Sequence, residues 1–261
     1  MRIAVVQTNP VFGQTDTNIN EALDLMSGAP ADLYVLPELF NTGYNFIDAS
    51  EAASLAEEVP GPTFNAIAAF ATRRSCYVAY GFAEKADRIY NSAALVGPSG
   101  LAGIYRKVHL YARENLFFAP GNLGFPVWDL SIGRIGMMVC FDWYFPESAR
   151  ALAMNGAQII AHPSNLVMPH CPDAMVTRCL ENRVFAATAN RVGAEDRGGQ
   201  RLGYIGKSEI VAPDGTIAAR LSEIDSGIAV VDINPADADS KRLNAFNDLF
   251  LNRRPDQYGL K

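Results

Sequence analysis

Cys140 closes the apolar run Ile135-Gly136-Met137-Met138-Val139 and is followed at once by Phe141-Asp142-Trp143-Tyr144-Phe145-Pro146-Glu147. An open α/β fold carries its chemistry at such places, where a buried strand ends and a helix is about to begin. A thiol attacks once it loses its proton, which a nearby cation, base or helix N-terminus promotes. The helix expected from Pro146 would supply such a terminus. Glu38 ends a second apolar run, Val35-Leu36-Pro37, and Lys107 ends a third, Ile104-Tyr105-Arg106. A carboxylate withdrawn from water binds a proton more readily, which suits a general base. An ammonium is a compact donor to an oxyanion. Glu114, seven residues past Lys107, could orient that lysine or pass a proton to a leaving amine. Together these are the parts of a hydrolase working through a thioester. Taken singly, each has a plainer reading: a buried core cysteine, or a charge meeting solvent at a strand end.

The elements that must position these groups follow from periodicity and turn residues. Strands are expected at Arg2–Thr8, Asp32–Leu36 and Cys76–Glu84. Helices are expected at Asp16–Ser27, capped by Asp16 or Thr17, and at Thr63–Ser75. Asn91–Gly97 and Leu101–Lys107 form a hairpin around Pro98-Ser99-Gly100. The order then repeats: strand Arg134–Cys140, helix Pro146–Asn155, strand Gln158–His162, helix Asp173–Val184, strand Phe185–Val192. A hairpin of Tyr204–Ala212 and Thr216–Leu221 follows, then a strand at Gly227–Ile233. Arg2-Ile3-Ala4-Val5-Val6 matches Arg134-Ile135-Gly136-Met137-Met138, and Val96-Gly97-Pro98-Ser99-Gly100 matches Val211-Ala212-Pro213-Asp214-Gly215. Each half is expected to form one sheet with two helices on one face, and the two bare faces bury each other. The expectation is a single domain over 1–261, a four-layer αββα sandwich with an internal pseudo-twofold. The tail 245–261 mixes apolar with polar residues and is expected to pack on another copy of the chain.

Composition narrows the function. The chain has 261 residues, 49% hydrophobic and 19% charged, with a formal charge of −6 and no Lys/Arg cluster. That excludes a strong nucleic-acid or anionic-membrane binder. Apolar stretches are strand-length, so no membrane span is expected. Met1-Arg2 runs straight into a strand with no signal-peptide pattern, and a cytoplasmic protein is inferred. Four scattered cysteines and three histidines offer no metal-site spacing, so no metal or other cofactor is expected.

Leu36-Pro37-Glu38-Leu39, Tyr105-Arg106-Lys107-Val108-His109-Leu110 and Val139-Cys140-Phe141-Asp142-Trp143-Tyr144-Phe145-Pro146-Glu147 resemble the three signature blocks of the nitrilase superfamily, the carbon–nitrogen hydrolases. The match extends through His162-Pro163-Ser164-Asn165, Leu180-Glu181-Asn182-Arg183 and Asn190-Arg191. The resemblance implies the αββα sandwich, Glu38 as base, Lys107 as oxyanion donor, Cys140 as nucleophile and Glu114 as second glutamate. It also implies a homodimer or higher homo-oligomer joined through Pro146–Asn155 and Asp173–Val184, with a small molecule as substrate. Phe141-Asp142, where true nitrilases usually carry Trp-Glu, looks more like the amidase and carbamoyl-amidase branches. Hydrolysis of a small amide or carbamoyl compound is therefore expected, with a small aliphatic nitrile as the alternative. Tyr44, Phe141, Trp143 and Asn165 are candidate substrate contacts, with Phe40 as a further wall candidate; these aromatics could equally be core, and for Phe46 the core reading is preferred. Three rival readings stand beside this: a Cys–His hydrolase with His162 as base, a non-catalytic dimeric scaffold, and a redox-sensing thiol.

Overall fold

The computed structural model describes residues 1–259. The first half runs β1 (Arg2–Gln7), α1 (Thr15–Gly28), β2 (Leu33–Val35), α2 (Ala49–Leu55), α3 (Pro62–Arg74), β3 (Tyr77–Lys85), β4 (Ile89–Gly97), β5 (Gly100–Arg106) and β6 (Val127–Leu130). The second runs β7 (Gly133–Met137), α4 (Pro146–Met154), β8 (Ile159–Pro163), α5 (Cys171–Asn182), β9 (Phe185–Ala189), β10 (Ala194–Arg197), β11 (Gln200–Gly203), β12 (Glu209–Val211), β13 (Ile217–Arg220) and β14 (Gly227–Asp232). A short helix α6 (Pro255–Tyr258) follows.

Two six-stranded sheets result, in the orders β14-β1-β2-β3-β4-β5 and β13-β12-β9-β8-β7-β6. In each, three parallel strands are flanked by an antiparallel hairpin on one side and one antiparallel strand on the other. The repeat is real, but the halves do not form separate sheets as expected. Each half sends its last strand across: β6 pairs with β7, and β14 pairs with β1. The exchange ties each half to the other's sheet through backbone hydrogen bonds as well as through apolar contact.

Side chains alternate across the strands, as the pleat requires. Ile3, Val5, Leu33 and Val35 face the opposite sheet and share one core with Ile135, Met137, Ile159 and Ala161. Ala4, Val6, Tyr34 and Leu36 face the other way, onto α1 and α3. The layers are helix, sheet, sheet, helix.

Three local expectations change. α1 is preceded by Gln14 and has no side-chain cap, so neither Asp16 nor Thr17 caps it. α2 was not foreseen; Asp48 caps it by accepting the Glu51 N–H. The strand expected from Tyr204 forms only at Glu209–Val211, because Tyr204, Ile205 and Gly206 donate instead to Gly193, Leu166 and Arg191. Among the described residues no helix is long and apolar enough to cross a membrane.

Candidate active site

Glu38, Lys107 and Glu114 come together in a buried ion cluster. Lys107 Nζ lies 2.7 Å from Glu38 Oε1 and 2.7 Å from Glu114 Oε1. Glu38 Oε1 also accepts from Asn91 Nδ2 at 2.6 Å, and Glu114 Oε1 from the Tyr44 hydroxyl. Glu114 Oε2 takes the Tyr111 N–H at 3.2 Å. Glu38 and Lys107 have no exposed surface. One acceptor is left over, since Glu38 Oε2 is buried without a partner.

Backbone geometry makes this approach possible. A Cβ at Gly81 of β3 would stand 2.4 Å from Glu38 Cα, so only glycine lets the strand pass behind that carboxylate. A Cβ at Gly121 would meet the Arg106 carbonyl at 2.0 Å, and the Gly121 N–H in turn holds the Lys107 carbonyl at 2.8 Å. Leu39, Ala112 and Cys140 all take positive φ, at 48°, 47° and 43°. Strained backbone of this kind concentrates at functional sites.

Cys140 opens a five-residue 3-10 turn, Cys140–Tyr144, after β7. Asp142 fixes that turn. Its Oδ2 accepts the Val139 N–H at 2.9 Å and the Tyr105 hydroxyl at 2.6 Å. Its Oδ1 accepts the His109 backbone N–H at 3.0 Å and the His109 ring Nδ1 at 2.8 Å. Tyr105 and His109 bracket Lys107 in sequence, so one carboxylate locks the cysteine turn to the lysine segment. The Phe141 N–H, next to the sulfur, makes no hydrogen bond among the described residues. Asn165, just past β8, donates Nδ2 to the Glu38 carbonyl at 2.8 Å, and its own carbonyl lies 3.8 Å from Cys140 Sγ.

Burial pushes the Cys140 pKa well up; the Glu38 charge adds to this, and Lys107 only partly offsets it. The resting group is a thiol, not a thiolate stabilised by a helix terminus. Burial also raises Glu114, against the pull of Lys107. Burial acts to lower Lys107, but the charges of Glu114 and Glu38 outweigh it and hold the ammonium protonated.

Cys140, Phe141, Trp143 and Asn165 line one cleft with Tyr111 and Leu166–Met168. Tyr44 is not in it. That side chain lies with Phe46 in a second hollow, which Glu114 and Tyr111 also line. Phe40 is a correction: it is fully buried, edge-on to Tyr80, in the helix-side core. His162 does not serve the thiol. Its Nε2 faces the Cys140 carbonyl at 3.0 Å and its Nδ1 faces Thr188 Oγ1 at 3.0 Å. Burial lowers its pKa to about 4, so the ring is neutral and supports the turn. Among the described residues no cluster of His, Cys, Asp and Glu could hold a metal ion.

The carbon-nitrogen hydrolase family model matches residues 2–243. The chain belongs to the carbon–nitrogen hydrolases. It is 46% identical over 263 residues to a nitrilase of Pyrococcus abyssi (strain GE5 / Orsay), covering 99% of each chain. It is 35% identical over 223 residues to an (R)-stereoselective amidase of Pseudomonas sp, covering 83% of this chain and 79% of that one. An amidase from Nesterenkonia sp. superposes with a TM-score of 0.81 at 26% identity, over 98% of this chain and 94% of its own. A mutant of the Nesterenkonia sp. AN1 amidase carries the acetamide moiety of fluoroacetamide covalently at its active site cysteine. This hydrolase is thus an enzyme for carbon–nitrogen bonds, on a fold shared with those amidases.

Sequence reasoning missed Asp142 as a positioning group, because a carboxylate in a polar turn reads as a solvated charge. Its partners, buried Tyr105 and half-buried His109, lie more than 30 residues away in the chain. Replacing Asp142 with Asn turns one of its two oxygens into a donor that faces donors. We expect Asp142→Asn to lower the kcat of C–N hydrolysis about 10²-fold through misplacement of the sulfur. Steady-state kinetics on a variant whose circular dichroism matches wild type checks this, and an unchanged kcat would refute it. A second expectation concerns pH. His162 has an ordinary value of 6.5 and a folded value of about 4. Between those values the unfolded chain binds the extra proton, so stability falls as pH drops from 6.5 towards 4. The contribution is about 3 kcal/mol. Urea titrations of wild type and His162→Gln across that range should show a flatter pH dependence in the variant.

Proposed function

We propose that the chain is a thiol amidase cleaving small primary amides or carbamoyl compounds, with Cys140 as nucleophile, Glu38 as base and Lys107 as oxyanion donor. The observation that carries this is the unpartnered Glu38 Oε2. It is a buried acceptor left free beside a neutral thiol, and of the four carboxylate oxygens of Glu38 and Glu114 it alone has no partner among the described residues. That free oxygen takes the thiol proton as sulfur attacks the carbonyl carbon. Lys107 uses two of its three N–H groups on carboxylates, and the third is available to the oxyanion together with the Phe141 N–H. The tetrahedral adduct collapses, the C–N bond breaks, and the nitrogen leaves as ammonia with the proton from Glu38. Glu114 keeps Lys107 in place and assists that transfer. Water then gives its proton to Glu38 and adds to the thioester. Collapse of the second adduct releases the acid and returns the proton to sulfur. No step calls on a metal or organic cofactor.

The amide reading is favoured by Phe141-Asp142 after the nucleophile and by the amidases among the similar proteins. One observation favours a nitrile instead: the relative at 46% identity is called a nitrilase. The test is ammonia release across matched amides, carbamoyl compounds and nitriles. We expect Cys140→Ala, Glu38→Gln and Lys107→Ala each to lower turnover by at least ~10³-fold. Nitriles turned over faster than their amides would select the second reading. Near-full activity of Glu38→Gln would remove Glu38 as base.

The same reading treats 1–261 as one catalytic domain that works in the cytoplasm as a homodimer through α4, α5 and the tail. Met154, Leu180, Leu251 and Phe246 are exposed in these segments, Phe246 to 90%. All four cysteines are free, in keeping with a reducing compartment. Residues 260 and 261 of the tail lie outside the described residues. Sedimentation should give a dimer for wild type and a shift to monomer for Leu180→Glu; a monomeric wild type would end the assembly proposal.

A further inference from the structure

Cys140 and Phe141 share one peptide unit, and both of its polar ends bear on the chemistry. Its N–H, on Phe141, is the backbone donor to the oxyanion in the mechanism above, and it has no hydrogen-bond partner among the described residues. Its carbonyl, on Cys140, is met by His162 Nε2 at 3.0 Å. A trans peptide is planar, so its N–H and C=O point in opposite directions. Whatever anchors the carbonyl therefore also aims the N–H. The unit needs an anchor, because Cys140 holds a φ of 43°, a conformation unfavourable for a residue with a Cβ. A half-turn of this peptide plane would carry the carbonyl to where the N–H now points, and an oxyanion there would meet an acceptor.

His162 can anchor that carbonyl only if Nε2 carries a proton, and its surroundings decide this. The ring is fully buried and neutral, so it has one N–H to place. Nε2 faces the Cys140 carbonyl, which can only accept. Ser164 Oγ lies 3.2 Å from the same nitrogen and directs its own proton to the His162 carbonyl at 3.3 Å, so it too receives at Nε2. Nδ1 faces the Thr188 hydroxyl at 3.0 Å, and a hydroxyl can donate. Thr188 is itself fully buried and stands beside His162 in the register of β8 and β9. With Thr188 donating to Nδ1, the ring proton sits on Nε2. The other tautomer would set a nitrogen lone pair against the Cys140 carbonyl oxygen.

We propose that His162, held in its Nε2–H tautomer by Thr188, is a positioning residue that aims the Phe141 N–H at the oxyanion. The inference rests on the amidase reading, in which a tetrahedral adduct forms on Cys140. His162 lines neither the cleft beside the sulfur nor the hollow beside Tyr44. It acts through the peptide it holds, and its loss weakens the stabilisation of the adduct without touching the thiol or its base. A preorganised donor is worth most when it already points at the place where charge develops.

Steady-state kinetics on acetamide, run beside the rate at which methyl methanethiosulfonate modifies Cys140, test this. That reagent joins its methylthio group to the cysteine sulfur and expels methanesulfinate, with no oxyanion formed, so it reports the thiol and its base alone. His162→Leu should lower kcat by about 10²-fold while the modification rate stays within about threefold of wild type. His162→Gln, whose side-chain amide offers an N–H in place of Nε2–H, should recover about tenfold of that loss. Thr188→Val, nearly isosteric, frees the tautomer and should lower kcat about tenfold. A kcat within about threefold of wild type in His162→Leu, or an equal fall in kcat and in modification rate, would overturn the assignment. If His162→Leu does not fold, Thr188→Val decides alone, and an unchanged kcat there ends the proposal. If wild type turns over no amide, the amidase reading fails, and a second arm still decides the role of His162. Acetaldehyde adds to Cys140 as a thiohemiacetal: the C–S bond forms and the thiol proton passes to the oxygen. Its protection of Cys140 from the thiosulfonate should weaken about tenfold in His162→Leu. Equal protection in wild type and variant, or none in wild type, refutes the proposal.

Discussion

One ammonium buried between two carboxylates governs the rest of the site. Removing three charges from water is costly, and the mutual attraction repays this only where the remaining hydrogen-bonding positions are filled. Here they nearly all are. Asn91, Tyr44 and the Tyr111 N–H supply the donors that Lys107 alone cannot. Each donor belongs to a different segment, so the cluster fixes the loop after β2, the strand β4, the end of β5 and the turn at Ala112–Leu116 relative to one another. Of the four carboxylate oxygens, Glu38 Oε2 alone has no partner among the described residues. The charges of Glu38 and Glu114 oppose a thiolate beside them, which agrees with the upward displacement at Cys140.

The repeat explains how residues so far apart arrive together. Glu38 follows β2, and Asn165 follows β8, which holds the same place in the second sheet. Their contact, from Asn165 Nδ2 to the Glu38 carbonyl, is a meeting of equivalent strand ends across the pseudo-twofold. Cys140 follows β7, the neighbour of β8. The exchange of β6 and β14 ties the halves together, so the strand ends that carry Glu38 and Cys140 are braced by both sheets.

Much of this was legible in the chain. Alternation in Ile3-Ala4-Val5-Val6 and the matched hairpin turns mark the strands and the duplication, and residues 38, 107 and 140 stand out by type and by position after apolar runs, whereas Glu114 stands out only through the family resemblance. What was not legible depends on partners rather than on pattern. β6 and β14 are edge strands that could serve either sheet, and nothing local names the partner. The hairpin β10–β11 has a charged inward face, so its sequence lacks the apolar alternation that marks a half-buried strand; Gly198-Gly199, a two-residue turn signal, was the one clue to it. α2 was likewise announced only by Asp48 and Glu51 in capping positions. The rise in the Cys140 pKa was not legible either, because burial and two carboxylates from other segments leave no mark next to the cysteine.

The hairpin β10–β11 is the exception to the symmetry. The additional hairpin in the second half closes over the first half's Tyr44 loop, and its charged residues hold it there without help from either sheet. Because Arg191 and Glu195 are buried together, that grip is an all-or-none contact rather than a loose surface pair. The catalytic cluster and the covering hairpin are thus built on different principles. The first is set by the ends of shared strands and tolerates no variation in charge. The second is an appendage held by Glu195 and Arg197 on its inward face and joined to neither large sheet.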